Sequence, residues 1–161
     1  MYDKVKHAIQ DDYDEDYAWC YGCGRLNEQG LQLRTGWLDD RTLTIYQPRP
    51  EHIAIPGFVY GGLIASIIDC HGTGSAALAL HRKNGHEPGD GLEPPRFVTA
   101  SLKVDYVKPT PLQTPLHIIG AVEEIHPKKW RITAEVFAEE VCCAKGEVVA
   151  AIMPATFQKG R

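Results

Sequence analysis

The chain has 161 residues, 43% hydrophobic and 24% charged, with 17 Lys plus Arg against 21 Asp plus Glu and a formal net charge of -4. That length suits one domain with a sizeable core and leaves no room for a second. No basic stripe meets the needs of a nucleic-acid surface, so nucleic acid is not an expected partner, although a ligand with a few phosphates would need only local cations.

Met1-Tyr2-Asp3-Lys4 opens without an apolar leader, and no apolar run reaches the roughly 20 residues that span a bilayer, so the expected setting is cytoplasmic, with no membrane partner. Residues 1–18 carry Asp11, Asp12, Asp14, Glu15 and Asp16 among few apolar anchors and read as an acidic, solvated lead-in with room for a short helix; one domain then fills 19–161. The five cysteines, Cys142 and Cys143 adjacent among them, suit a reducing compartment. Cys20 and Cys23 supply two of the four ligands of a structural zinc, and no second pair follows at finger spacing. Gly22 and Gly24 set the pair in a turn rather than at the helix start that a thioredoxin-like redox pair uses. Its expected role is structural, and neither a metal nor a cofactor is expected.

From Leu31 the pattern alternates: Leu31, Leu33 and Thr35, then, past an Asp39-Asp40 turn, Leu43, Ile45 and Gln47, which predicts a hairpin. Pro48, Pro50 and Pro56 mark a loop. A helix is predicted from Gly61 to about Leu80, apolar through Ile64, Ile67, Ile68 and Leu78 and slim at Gly72, Gly74, Ala76 and Ala77, with a kink allowed at the two glycines. Lys83 to Pro95 reads as a mobile loop placed to cover a substrate tunnel. Four strand-like runs follow, Phe97–Val107, Leu116–Ile125, Trp130–Ala138 and Val141–Ile152, expected in hairpin order.

The predicted helix holds one carboxylate, Asp69, eight residues past Gly61. An ionised carboxylate left alone in an apolar interior costs several kcal/mol or more, so this one is paired, protonated or at work, and a structural aspartate satisfied by Thr73, Ser66 or backbone is the alternative to a catalytic one. The N–H groups at a helix start lack intrahelical acceptors, and glycines let a ligand approach them. Donors for an oxyanion plus a base suit acyl transfer chemistry.

Three ordered segments carry a resemblance. Gly57-Phe58-Val59-Tyr60-Gly61-Gly62 with Asp69 resembles the His-Gly-Gly…Asp motif of hotdog-fold acyl-CoA thioesterases of the phenylacetate-pathway type. Cys20-Tyr21-Gly22-Cys23-Gly24 through Asn27, Gly30 and Leu31 is similar to the family's entry segment, and Val98 to Pro109 to its third strand. Tyr60 stands where the family usually carries a histidine. The resemblance implies an α+β hotdog fold, an antiparallel β-sheet wrapped around a long central α-helix. It also implies an acyl-CoA substrate, with Asp69 as general base or nucleophile and the Gly61 N–H polarising the thioester carbonyl, while Gly62 leaves room for the ligand. Thr99 matches a hydroxyl residue that helps orient the attacking water.

Around these, Tyr60, Gly62, Thr73, Thr99 and His52 are the substrate-side candidates, Thr73 lying one helical turn after Asp69 and within reach of its carboxylate. His71 faces another side of the helix; His52 lies before the glycines, either at the substrate mouth or on the surface; His81, His86, His117 and His126 read as loop or surface residues. Arg82, Lys83, Lys128, Lys129 and Arg131 are candidate phosphate contacts or merely solvated. Eight helical residues span about 12 Å, too far for one copy to bring both Gly61 and Asp69 within about 3 Å of one carbon, so a homodimer or dimer of dimers with shared sites is expected. The alternative is a non-catalytic acyl-CoA-binding hotdog protein, and a hotdog hydratase or dehydratase stands third, since Tyr60 replaces its best-placed histidine.

Overall fold

Leu63, Ile64, Ile67, Ile68 and Leu78 put apolar bulk on nearly every side of one segment, and a helix that is apolar all round must be enclosed. In the computed structural model, which describes residues 4–158, that segment is α1, Gly61–Lys83, and all five side chains are almost fully buried. It runs without interruption through Gly72 and Gly74. Contrary to expectation, its length and composition would suffice to cross a bilayer, because glycine, serine and threonine barely lower its hydropathy; 78% of its most apolar stretch is buried inside the domain.

The enclosing layer is one antiparallel sheet of β1 (Thr35–Leu38), β2 (Arg41–Tyr46), β3 (Phe97–Tyr106), β4 (Leu116–His126), β5 (Lys129–Ala138) and β6 (Val141–Ile152), in the spatial order β1-β2-β4-β5-β6-β3. The hairpins β1–β2, β4–β5 and β5–β6 follow the predicted turns. The expected hairpin order fails at β3, which pairs with β6 and forms an edge of the sheet. Helix and sheet meet closely where glycine omits a side chain: a Cβ on Gly72 would lie 2.5 Å from Val148 of β6, and one on Gly146 of β6 would lie 2.5 Å from Ile68. This is the hotdog architecture expected from the resemblance.

Four expectations need correction. The alternation from Leu31 does not start a strand: Gln32 takes a φ of 52°, and the Leu31 and Leu33 N–H groups donate instead to the Tyr21 and Gly22 carbonyls. The lead-in is acidic outside but not merely solvated, since Ala8, Ile9, Tyr13 and Ala18 join the core from a segment with two short 3-10 turns, Ile9–Asp12 and Glu15–Tyr17. The 83–95 loop is tied down, with Arg82 paired to Glu87, His86 to Asp90 and the Gly89 N–H donating to Asp12. It adjoins the C-terminal end of α1, the end away from Gly61 within the chain, where the His86 N–H donates to the His81 carbonyl. His81 and His117 are buried rather than surface residues.

His71 lies fully buried in a polar chain that periodicity could not reveal. Ser75 donates to Thr42, whose Oγ1 lies 3.2 Å from His71 Nε2; His71 Nδ1 lies 2.8 Å from Thr44 Oγ1, which is 2.9 Å from Thr35 Oγ1, and Thr35 is held by Gln10. Burial lowers the imidazole pKa from 6.5 to about 3. Because the unfolded chain takes up this proton first on acidification, the stability from the neutral ring is whole above pH 6.5 and is lost as pH falls towards 3. About 2–3 kcal/mol is expected to go between about pH 6.5 and 4.5. His71→Gln should be less stable than wild type at pH 7 yet lose less over that interval in thermal melts; equal losses would contradict the assignment.

Candidate active site

The loop before α1 aims its start. The Val59 N–H donates to the Thr110 carbonyl and the Tyr60 N–H to the His52 carbonyl, while His52 Nδ1 accepts from the Arg49 N–H. His52 is therefore buried rather than on the surface, its ring 6.4 Å from that of Tyr60. Desolvation, then the nearby Arg49 charge, lowers its pKa and favours the neutral ring. It holds Tyr60 and the helix entry in place.

Tyr60 is the N-cap of α1 in extended conformation and offers no side-chain cap, so no side chain of its own covers the first-turn donors. Its ring instead folds over Gly62, where a Cβ would come within 2.5 Å. Gly61 lies beneath Tyr106 of β3, whose hydroxyl donates to the Gly61 carbonyl at 2.7 Å. A Cβ on Gly61 would meet that ring at 3.1–3.3 Å. Val59, Gly61, Ile64, Tyr106, Lys108 and Pro109 line a cleft of about 330 Å³. A second cleft of about 420 Å³ shares Lys108 and Pro109 and continues over Phe58, Pro111, Val141 and Cys143. A largely apolar trough with Lys108 where the two clefts join, Glu139 further along the second and helix-start donors at its edge suits a long ligand with an anionic group near Lys108.

Asp69 lies two turns further along, half-buried, where α1 meets β3. The Thr99 hydroxyl donates to its Oδ1. The β3–β6 register shifts between Thr99 and Ser101, and such a bulge re-aims the side chain beside it. Thr99 is exposed, so the pair is open to one side of the sheet edge.

Of the predicted residues, Asp69 and Thr99 are brought together, and Gly61, Gly62, Tyr60 and His52 gather at the other end of the same helical stretch. Thr73 is not part of either group: its hydroxyl donates to the Cys70 carbonyl, because a helical hydroxyl finds the backbone of the preceding turn first. Ser66 likewise donates to the Gly62 carbonyl, so neither supplies the pairing that a purely structural Asp69 was expected to use. Arg82, Lys83 and Arg131 are paired with Glu87, Glu124 and Glu123, and Arg82 also stacks on Trp37, so these cations serve other contacts. The cation beside the cleft is Lys108, which sequence reasoning passed over together with Tyr106. Both lie in the strand segment that carried the resemblance, where only their closeness to the helix start distinguishes them.

The thioesterase superfamily model matches residues 56–144, more than half of the chain. A thioesterase superfamily protein from Shewanella loihica is 41% identical, with a TM-score of 0.66 over 86% of this chain and 97% of that one. The acyl-coenzyme A thioesterases THEM4 of Mus musculus and Xenopus laevis are 30% and 36% identical over 57% and 55% of this chain. The matched region is 34% of each of those two relatives, about a third of their length. With the helix, the sheet order and these matches in agreement, the chain belongs to the thioesterase superfamily.

Proposed function

We propose that this protein hydrolyses an acyl-CoA thioester to a free acid and coenzyme A. The observation that carries the reading is the Thr99–Asp69 pair: a carboxylate whose one hydrogen bond among the described residues comes from a neutral hydroxyl, open at the sheet edge. Held in this way, Asp69 takes a proton from water as the oxygen attacks the thioester carbon, or attacks the carbon itself. The Gly61 N–H, on a helix start whose dipole favours negative charge, receives the oxyanion. Collapse of the tetrahedral intermediate breaks the C–S bond and expels the coenzyme A thiolate, giving the free acid directly in the first route and, in the second, an acyl–Asp69 anhydride that water then hydrolyses to the acid and free Asp69. Tyr60 and His52 shape the entry to that donor, Gly62 leaves space beside it, and Lys108 meets an anionic part of the ligand.

Gly61 and Asp69 sit about 12 Å apart along one rigid helix, so each reacting centre takes Gly61 from one chain and Asp69 from another in a homodimer or dimer of dimers. An edge strand with open backbone groups favours such pairing, and β3, the strand of Thr99, also carries exposed Leu102 and Tyr106. The acyl-CoA THEM4 relatives support the choice of substrate class.

The test is a panel of short, medium, long and aromatic acyl-CoAs with free thiol as the readout. Turnover of at least one is expected; saturable binding without thiol release would replace this reading with that of an acyl-CoA-binding protein. A further expectation concerns Thr99→Val, which keeps the strand but removes the hydroxyl that orients Asp69. It should lower kcat by about 10- to 100-fold with little change in KM. An unchanged kcat would make Thr99 a bystander.

A further inference from the structure

The turn that carries Cys20 and Cys23 is pressed against α1, and the residue it meets there is Cys70. The three sulfurs lie within 4.8 Å of one another. A Cβ on Gly22 would collide with Cys70 Sγ, so glycine at that position is what lets the turn close on the helix. Backbone bonds set the turn from both sides, Gly24 N–H to the Cys20 carbonyl and Leu33 N–H to the Gly22 carbonyl. Cys70 lies 50 residues along the chain from Cys20, so the third sulfur belongs to no local Cys-x-x-Cys spacing.

We infer that Cys20, Cys23 and Cys70 form a three-thiolate site for a thiophilic d10 cation, with zinc as its probe, that clamps the N-terminal turn to the central helix. Sulfurs bound at about 2.3 Å in tetrahedral directions lie about 3.8 Å apart, and Cys20 Sγ and Cys70 Sγ are 3.9 Å apart. The separation is far from the about 2.05 Å of a disulfide. Cys23 and Cys70 are buried and Cys20 is half-exposed, which leaves an entry path on one side.

Two neighbours suit a bound, negatively charged centre. Tyr13 is 4% exposed with its hydroxyl unpartnered, and it lies within electrostatic reach of all three sulfurs. A buried donor without an acceptor is costly, and a water held by a metal at the three sulfurs is an acceptor that would remove that cost. Arg96 sits over the Tyr13 ring, 4.8 Å from its centroid, and it too interacts with the three cysteines; its guanidinium donates to the Phe97 carbonyl and has no carboxylate partner among the described residues. Binding releases three protons: a divalent cation, a water and three thiols give a complex of three thiolates and one water with a net charge of -1, which Arg96 balances. The fourth position belongs to that water, since no fourth protein ligand joins the cluster among the described residues.

The test uses the full chain, kept reduced without a chelating reductant and stripped of metal. Zinc titrated against a chromophoric chelator should bind one ion per chain, and cobalt(II) in its place should give a sulfur-to-cobalt charge-transfer band. Cys70→Ser and Cys20→Ser should each weaken zinc binding by at least about 100-fold, while Cys142→Ser should not change it. Should a variant fail to fold, wild-type protein still decides: mass-mapped alkylation should slow at Cys20, Cys23 and Cys70 when zinc is added and proceed unchanged at Cys142. A cobalt complex without the charge-transfer band, unaltered zinc affinity in folded Cys70→Ser, or zinc-independent alkylation of the three thiols would overturn the site.

Discussion

Asp69→Asn should lose at least about 100-fold in kcat/KM towards whichever acyl-CoA is turned over best, the loss expected for removing a positioned base. The replacement has the same shape, and its amide oxygen still accepts from the Thr99 hydroxyl, so the local packing between α1 and β3 survives. What disappears is the capacity to take a proton or to attack. The fold can be checked within the same molecule: Cys70 is the next residue, and its contacts with the Cys20 turn should remain, so an unchanged thermal midpoint and unchanged thiol reactivity separate lost chemistry from lost structure. Near-normal turnover by a folded Asp69→Asn protein would remove the carboxylate from the mechanism and leave Asp69 as a structural partner of Thr99.

The elements of this fold were legible because each has a local signature. The helix announced itself through apolar residues that never yield a polar face, and the strands through alternation and turn residues such as Asp39, whose φ of 56° confirms the tight turn. Asp69 was visible as the one carboxylate in that helix. What stayed hidden depends on contacts between distant segments. Nothing local tells β3 to cross to the far edge beside β6, and the buried chain from Gln10 to Ser75 joins four segments through single hydroxyls. Cys70 reads as a small core residue until the Cys20–Cys23 turn is folded onto it. Tyr106 and Lys108 look like ordinary strand-end residues until β3 is laid along α1. The acidic N-terminal stretch misled because its charges outnumber the few apolar residues, Ile9 and Tyr13 among them, that anchor it.

Mixing two inactive chains should restore activity if each site is built from both partners. Asp69→Ala removes the base, and Gly61→Pro removes the N–H that is proposed to receive the oxyanion. Proline suits the first helical position, and Tyr60 before it already has φ -70° and ψ 145°, the extended conformation that a residue preceding proline adopts. The ring must displace Tyr106 by a few tenths of an ångström, since a Cβ at Gly61 would lie 3.1 Å from its hydroxyl. Each homodimer should be dead, because every site lacks one half. After co-refolding in equal amounts, about half of the dimers are mixed, and in each of these one site unites the intact Gly61 of one chain with the intact Asp69 of its partner while the other collects both defects. Recovered activity should approach about a quarter of wild type under two-fold symmetry. Size-exclusion chromatography and circular dichroism establish that Gly61→Pro folds and assembles, and differentially tagged chains establish that mixed dimers form. Dead mixed dimers under those controls would mean that Gly61 and Asp69 do not meet across an interface, and the shared-site mechanism would be abandoned.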